Sequence, residues 1–175
     1  YAGKVYGITS LGGANDDGVI FEWDISSKVY TSKYDFISTT GSNPVGKLAL
    51  YNGKFYGGTT FGGSSDQGVL FEWDPATNTY TNKINLTFAL GEHPTGDLCL
   101  IGGKFSAMTS DGPGSTGGIF EWDPATNIYI SKVNFNTING SYPRAGLKFY
   151  NVKFYGTTRS GGSISRGVIF DWDTV

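Results

Sequence analysis

The sequence predicts an all-β protein made of β-propeller blades: four-stranded antiparallel sheets in about 3.5 repeats of about 50 residues, incomplete at both ends. Three observations predict it. Trp23, Trp73, Trp122 and Trp172 recur at spacings of 50, 49 and 50 residues, each within the same local phrase: VIFEWD, VLFEWD, GIFEWD and VIFDWD. A fixed period of that size marks units that bury their apolar surface against their neighbours. Each unit also carries strand-like runs separated by turn chemistry. Composition agrees: 27 glycines and 15% aromatic residues suit short strands and tight turns, whereas glycine costs a helix about 1 kcal/mol per residue.

The unit from Gly46 to Leu86 shows the plan. Leu48–Tyr51 reads as strand A. Asn52-Gly53 follows, a two-residue hairpin turn whose central positions take positive φ. Lys54–Thr60 is strand B, and a Gly- and Ser-rich loop, Gly62–Gly68, leads to strand C at Val69–Asp74. There Val69, Phe71 and Trp73 share one face at period two. Asp74-Pro75-Ala76-Thr77-Asn78 is a turn, because proline fixes φ and Asp or Asn side chains bond nearby amides. Thr79–Leu86 is strand D. The other units depart locally: Gly102-Gly103 stands at the third hairpin, Ser106-Ala107-Met108 replaces Tyr56-Gly57-Gly58, and Asn151-Val152 weakens the fourth turn.

No linker or helix-period segment interrupts the series, so residues 1–175 read as one repeat array with units at about 1–45, 46–95, 96–145 and 146–175. Tyr1-Ala2-Gly3-Lys4 aligns with Tyr51-Asn52-Gly53-Lys54, and the last unit reaches Asp173-Thr174-Val175 before any strand D. The strand count is therefore three, four, four and three. Unpaired edges of this kind are covered or closed in native proteins. The expectation is either a longer natural chain or self-association that completes the ring.

A net charge of −2 with both signs interspersed gives no electrostatic footprint for nucleic acid. No run of 18 apolar residues exists, so membrane insertion is not expected. A single cysteine, Cys99, excludes an internal disulfide and a Cys-based metal site.

KFYGGTTFGG…GVLFEWD, and KFYGTTRSGG…GVIFDWD with its preceding YPRAGLKFY, resemble the GloVer tandem repeat, named for Gloeobacter and Verrucomicrobium. The resemblance covers all 175 residues through the YGTT…GG…G-[VT]-[VI]-F core. It implies exported bacterial proteins with varied C-terminal sorting anchors, and so an extracellular or cell-surface location. The same stretch is similar to kelch repeats in its double glycine after strand B and its DPATN turn after strand C. Its Trp, however, stands two residues before that Pro, earlier than in kelch. Both resemblances imply a propeller, and neither implies a catalytic residue or a cofactor.

Catalysis usually draws on residues that break a repeat. Glu22, Glu72, Glu121 and Asp171 recur at one place in strand C and read as part of the packing. Lys4, Lys54, Lys104 and Lys153 follow the hairpin turn, as solvated turn charges or as partners of those acids. His93, the only histidine, lies in a GEHP loop with no nucleophile placed beside it by sequence. Asn15, Asp16 and Asp17 lack the spacing and closing Glu of a calcium loop, so no metal is expected. Ser64-x-Asp66-x-Gly68-x-x-Phe71 resembles the Asp-box of sialidase propellers, with Asp16, Gly18 and Phe21 keeping part of it. That box is structural there and follows the third strand; here it precedes strand C, and Ser115 and Ser165 replace its Asp. It reads as turn chemistry.

With alternating strands, the A–B and C–D turns lie on one face of the ring and repeat closely. The B–C and D–A loops lie on the other and vary, and loops on a rigid scaffold are where function tends to sit. The ligand-binding candidates are therefore Asp16, Asp17, Asp66, His93, Asp111, Arg144, Arg159 and Arg166 on the variable face. The arginines near the last unit and the acids near the first leave three readings open: an anion site, scattered solubilising charge, or attraction between the two ends. The expected function is a non-catalytic scaffold, adhesion or protein-contact module; the alternative is a carbohydrate-binding propeller. The expected partner is a protein or glycan on a surface. A glycoside hydrolase would need two carboxylates about 5–10 Å apart, for which the sequence offers no pair.

Overall fold

The computed structural model describes residues 1–173; the expected end of the fourth unit at Thr174 and Val175 lies outside the described residues. Among the described residues, fifteen strands form four antiparallel sheets in chain order. Sheet I holds β1 (Lys4–Thr9), β2 (Val19–Asp24) and β3 (Val29–Asp35). Sheet II holds β4 (Ser42–Tyr51), β5 (Lys54–Phe61), β6 (Val69–Asp74) and β7 (Thr79–Asn85). Sheet III holds β8 (Glu92–Ile101), β9 (Lys104–Asp111), β10 (Gly118–Asp123) and β11 (Ile128–Asn134). In sheet IV, β12 (Ser141–Pro143) and β13 (Lys148–Tyr150) both pair with β14 (Lys153–Ser160), which pairs with β15 (Ile169–Asp173).

Turn chemistry positions these strands as anticipated. Asn52 and Gly53 take φ of 49° and 78°, and the fourth hairpin keeps the same geometry although Val152 stands at φ 62°. A β-branched residue is rarely found there, but the β13–β14 and β14–β15 ladders on either side hold the turn closed. At the C–D turns, the Asp74 and Asp123 carboxylates accept from the amides of Ala76 and Ala125 at 2.8 and 2.9 Å. The indole Nε1 of Trp73 and of Trp122 donates to Asn78 and Asn127 in those turns.

Two expectations change. The inner strand begins at Ser42 rather than Leu48, because Ser42 and Pro44 already pair with Phe61 and Thr59 ahead of a register shift between Val45 and Ala49. Gly46 at that shift takes φ 74°, and a β-carbon there would lie 2.3 Å from the carbonyl oxygen of Gly96 in the next sheet. Strand C, in turn, buries both its faces: Leu70 is as fully covered as Val69, Phe71 and Trp73.

The reason is that the sheets stack face to face and every core cluster lies between two of them. Ile20 and Phe36 of sheet I meet Phe55, Phe71 and Trp73 of sheet II. Tyr56 and Leu70 of sheet II meet Leu98, Phe105, Phe120 and Trp122 of sheet III. Met108, Ile119 and Phe135 of sheet III meet Leu147 and Phe154 of sheet IV. Each junction also has ring contacts: Tyr6 to Trp73 at 5.5 Å and Phe135 to Phe170 at 5.1 Å are tilted, and Tyr56 to Trp122 at 5.7 Å is edge-on, geometries aromatic pairs prefer over a face-to-face sandwich.

Candidate functional site

The variable face is built on backbone that is held in place. In three B–C loops the amide of Gly18, Gly68 or Gly167 donates to the carbonyl of Gly12, Gly62 or Gly161 at 3.0–3.1 Å. Asp16 and Asp66 take φ of 60° and 55°, and each carboxylate accepts from the amide that opens its own loop, Gly12 or Gly62, at 2.8 Å. Turn chemistry therefore accounts for both aspartates, as the partial Asp-box pattern suggested.

The D–A loops clamp the same backbone. The amides of Asn43, His93 and Tyr142 donate to the carbonyls of Asp17, Gln67 and Thr116 in the preceding sheet's loop, at 2.9–3.0 Å. His93 stands where the first unit has Asn43. Its Nδ1 donates to the Thr60 carbonyl at 2.9 Å, as the Asn43 side-chain amide donates to the Ser10 carbonyl at 3.1 Å, and its ring packs on Phe61. Asp111 is half-buried and accepts from the Ser110 hydroxyl. Arg144, Arg159 and Arg166 are exposed. Among the described residues no hydrogen bond or ion pair joins any two of these eight candidates, so they form no bonded cluster.

What this face does present is apolar. Leu11, Ile37, Phe61, Phe88, Ile138 and Ile164 are all exposed on the variable loops and their margins, Ile138 and Ile164 at 83% and 76%. Most stand where at least one other unit is polar: Leu11 and Phe61, equivalent to each other, match Asp111 and Ser160, Phe88 matches Ser38 and Thr137, Ile138 matches Thr39 and Ala89, and Ile164 matches Asn15 and Ser65. Sequence reasoning looked for charge on these loops and missed them, although aligning the units reveals the substitutions.

The recurrent carboxylates lie elsewhere and are engaged. Glu22 accepts from Lys4 at 2.5 Å and from the Tyr6 hydroxyl at 2.8 Å; Glu72 accepts from Lys54 at 2.6 Å and from Tyr56 at 2.9 Å. Lys104 and Lys153 bond Glu121 and Asp171 in the same way, so the lysines are the partners of the acids. The Lys4 hydrogen bond holds the Glu22 carboxyl below its ordinary range. Burial opposes the charge of Glu72, but the bonds from Lys54 and Tyr56 prevail and lower it too. Burial, followed by the bond to Glu22, raises the Tyr6 hydroxyl to about 12.

On the axis side, the inner strands enclose an open depression of about 360 Å³ whose lining includes Lys47, Asp97, Cys99, Lys148 and Phe149. Lys47 Nζ lies 2.8 Å from Asp97 Oδ2, and its amide donates to the same carboxylate, so the charged pair joins sheets II and III. Burial raises the Cys99 thiol, which favours the protonated form. Among the described residues no group of three or more His, Cys, Asp or Glu could hold a metal ion, and no helix is long and apolar enough to cross a membrane.

Successive antiparallel sheets of three or four strands packed face to face, with loops displayed on one rim, define a β-propeller repeat protein. The chain belongs to the Gloeobacter/Verrucomicrobia repeat family, whose model matches residues 1–174. No curated protein matches it. Similar solved structures include TolB from Acinetobacter baumannii, with TM-score 0.59 and 16% identity over 98% of this chain and 38% of that one. A nidogen/laminin complex has TM-score 0.60 and 14% identity over 98% of this chain and 60% of that one. An alpha-L-arabinofuranosidase from Clostridium thermocellum has TM-score 0.56 and 12% identity over 99% of this chain and 66% of that one. The chain thus spans less than two thirds of each, and identities this low carry the propeller fold alone.

Proposed function

We propose that this chain is a non-catalytic extracellular propeller module that engages a protein partner through its variable loop face. The observation that carries this reading is the set of exposed apolar side chains at repeat-breaking positions, Leu11, Phe61, Phe88, Ile138 and Ile164, displayed on hydrogen-bonded loops. Exposed apolar side chains gain free energy when a partner covers them, and a pre-ordered backbone lowers the entropy cost of binding. The propeller in a nidogen/laminin complex supports protein contact as a use of this fold. A non-catalytic role is supported by the recurrent carboxylates, each bonded to a lysine of its own sheet. The extracellular location rests on the export that the repeat family implies.

One observation favours a second reading. The rings of Phe61 and Phe88 are exposed beside polar loops, an arrangement on which a sugar face can stack. Binding to immobilised cell-envelope and secreted fractions separates the two. Under the protein reading, binding is lost after protease treatment and survives periodate oxidation. Replacing Leu11, Phe88, Ile138 and Ile164 together by Ser weakens it at least about tenfold, or about 1.4 kcal/mol. Loss on periodate with survival of protease transfers the site to glycan. Unchanged binding by the four-fold variant sinks the loop face for either partner.

A further inference from the structure

Glu92 and Asp111 differ from the acids of strand C. Glu22, Glu72, Glu121 and Asp171 are each bonded to a lysine of their own sheet, and Asp97 to Lys47 of sheet II. Glu92 and Asp111 stand directly opposite each other in the β8–β9 ladder, and neither has an ion pair among the described residues. Residues opposite each other share one face of a sheet, where like charges are destabilising. The other four-stranded sheets avoid this: Ser42 faces Phe61 at the same place in sheet II, and Ser141 faces Ser160 in sheet IV. Sheet III has a neighbour packed on each side, so the pair is exposed only toward the variable rim.

The pair lies within the apolar loop face. Beside Glu92, the His93 ring packs on the exposed ring of Phe61 with centroids 4.9 Å apart. Beside Asp111, a β-carbon on Gly112 would lie 3.6 Å from the carbonyl oxygen of Phe88, whose side chain is exposed. The surrounding loops, residues 61–68, 86–94 and 111–117, hold no lysine or arginine. The surface is therefore two exposed aromatic side chains around two carboxylates that repel one another and lack a cation.

We propose that the partner of the variable face presents an apolar segment bearing an arginine, whose guanidinium seats on Glu92 and Asp111 while its neighbours cover Phe61 and Phe88. This rests on the protein-partner reading and names the chemistry of that partner. Charge complementarity selects the occupant: a cation placed here replaces a repulsion by two charge-assisted hydrogen bonds. A guanidinium suits the place better than an ammonium. Its planar fork offers several donors at once, and its weak hydration lets it lie on an aromatic face. The same two carboxylates repel acidic surfaces, which gives the apolar tips a choice among partners.

Fluorescence anisotropy with a labelled peptide of alternating arginine and leucine tests the inference, against the same peptide carrying citrulline, a neutral isostere, for arginine. The expected result is binding of the arginine peptide at least about fivefold tighter, the scale of partly exposed charge pairs. That gap narrows as salt is raised. Glu92→Gln with Asp111→Asn closes it at unchanged circular dichroism, whereas Asp17→Asn, an acid of the same face in sheet I, leaves it open. Equal affinity for the two peptides, or no binding of either, overturns the inference and leaves the apolar loop face to be judged by its own assay. A gap that survives the double variant, or that Asp17→Asn closes equally, overturns it as well. If both peptides bind the four-fold Ser variant as they bind wild type, the loop face itself fails and the inference fails with it.

Discussion

Sheet II is covered on both faces and sheet IV on one, and equivalent residues behave differently in the two. Leu70 and Ile169 occupy the same place in strand C, yet the first is fully enclosed and the second is almost fully solvated. Tyr56 is buried while Tyr155 is exposed, and Glu72 has three cationic or hydroxyl neighbours where Asp171 bonds Lys153. The lesson is that a blade has no core of its own. Its apolar residues acquire energy from the neighbouring blade, as in solenoid repeats where stability is a sum over interfaces.

The largest expected effect breaks this comparison directly. Leu70→Ala is expected to cost about 2–5 kcal/mol through lost burial and the cavity it leaves. Ile169→Ala is expected to change stability by less than about 0.5 kcal/mol, as a solvated substitution does. Urea unfolding measures both, and equal costs would show that each sheet carries its own core.

The next effect sharpens the comparison through charge. Glu72→Gln is expected to cost about 1.5–3 kcal/mol, the range of hydrogen bonds to charged groups, because Lys54 and Tyr56 both lose a carboxylate that is largely covered. The corresponding Asp171→Asn is expected to leave stability nearly unchanged, since its ion pair is half exposed and screened by solvent. The pH dependence has a definite sign. The Glu72 carboxyl is lowered from its ordinary 4.5, so its contribution is present above that pH and is lost as pH falls through the folded value. The gap between wild type and Glu72→Gln therefore closes in acid. Tyr6 is raised from 10.0 to about 12, so its contribution is present below pH 10 and is lost as pH rises toward 12. Tyr6→Phe is expected to flatten that alkaline limb of the stability curve.

Much of the fold was legible in particular residues. The Trp period gave the unit, and Asn52-Gly53 with the Asp74–Asn78 turn fixed the hairpins. The structure returns strand C at Val69–Asp74 with the same bounds. Leu70 escaped because period-two reading assigns one face to the core, whereas a blade between two neighbours buries both. The early start of the inner strand escaped because Ser42 and Pro44 look like loop residues until their partners Phe61 and Thr59 are placed. On the variable face, nothing in the spacing of Asp16 or Asp66 separates a carboxylate bound to its own loop amide from one aimed at a ligand.

The smallest expected effect concerns His93, whose position separates a clamp from a binding group. Asn43 makes the equivalent bond to the preceding sheet from the same left-handed backbone, at φ 52° against 53°. Asparagine also tolerates that conformation better than most residues. His93→Asn is therefore expected to leave the thermal midpoint within the shift that about 0.5 kcal/mol produces, while His93→Ala, which removes the bond to Thr60, is expected to cost about 1 kcal/mol. If His93 instead contacts a ligand, His93→Asn reduces partner binding at unchanged stability. That outcome would move the binding site from the apolar loop tips toward the junction of sheets II and III.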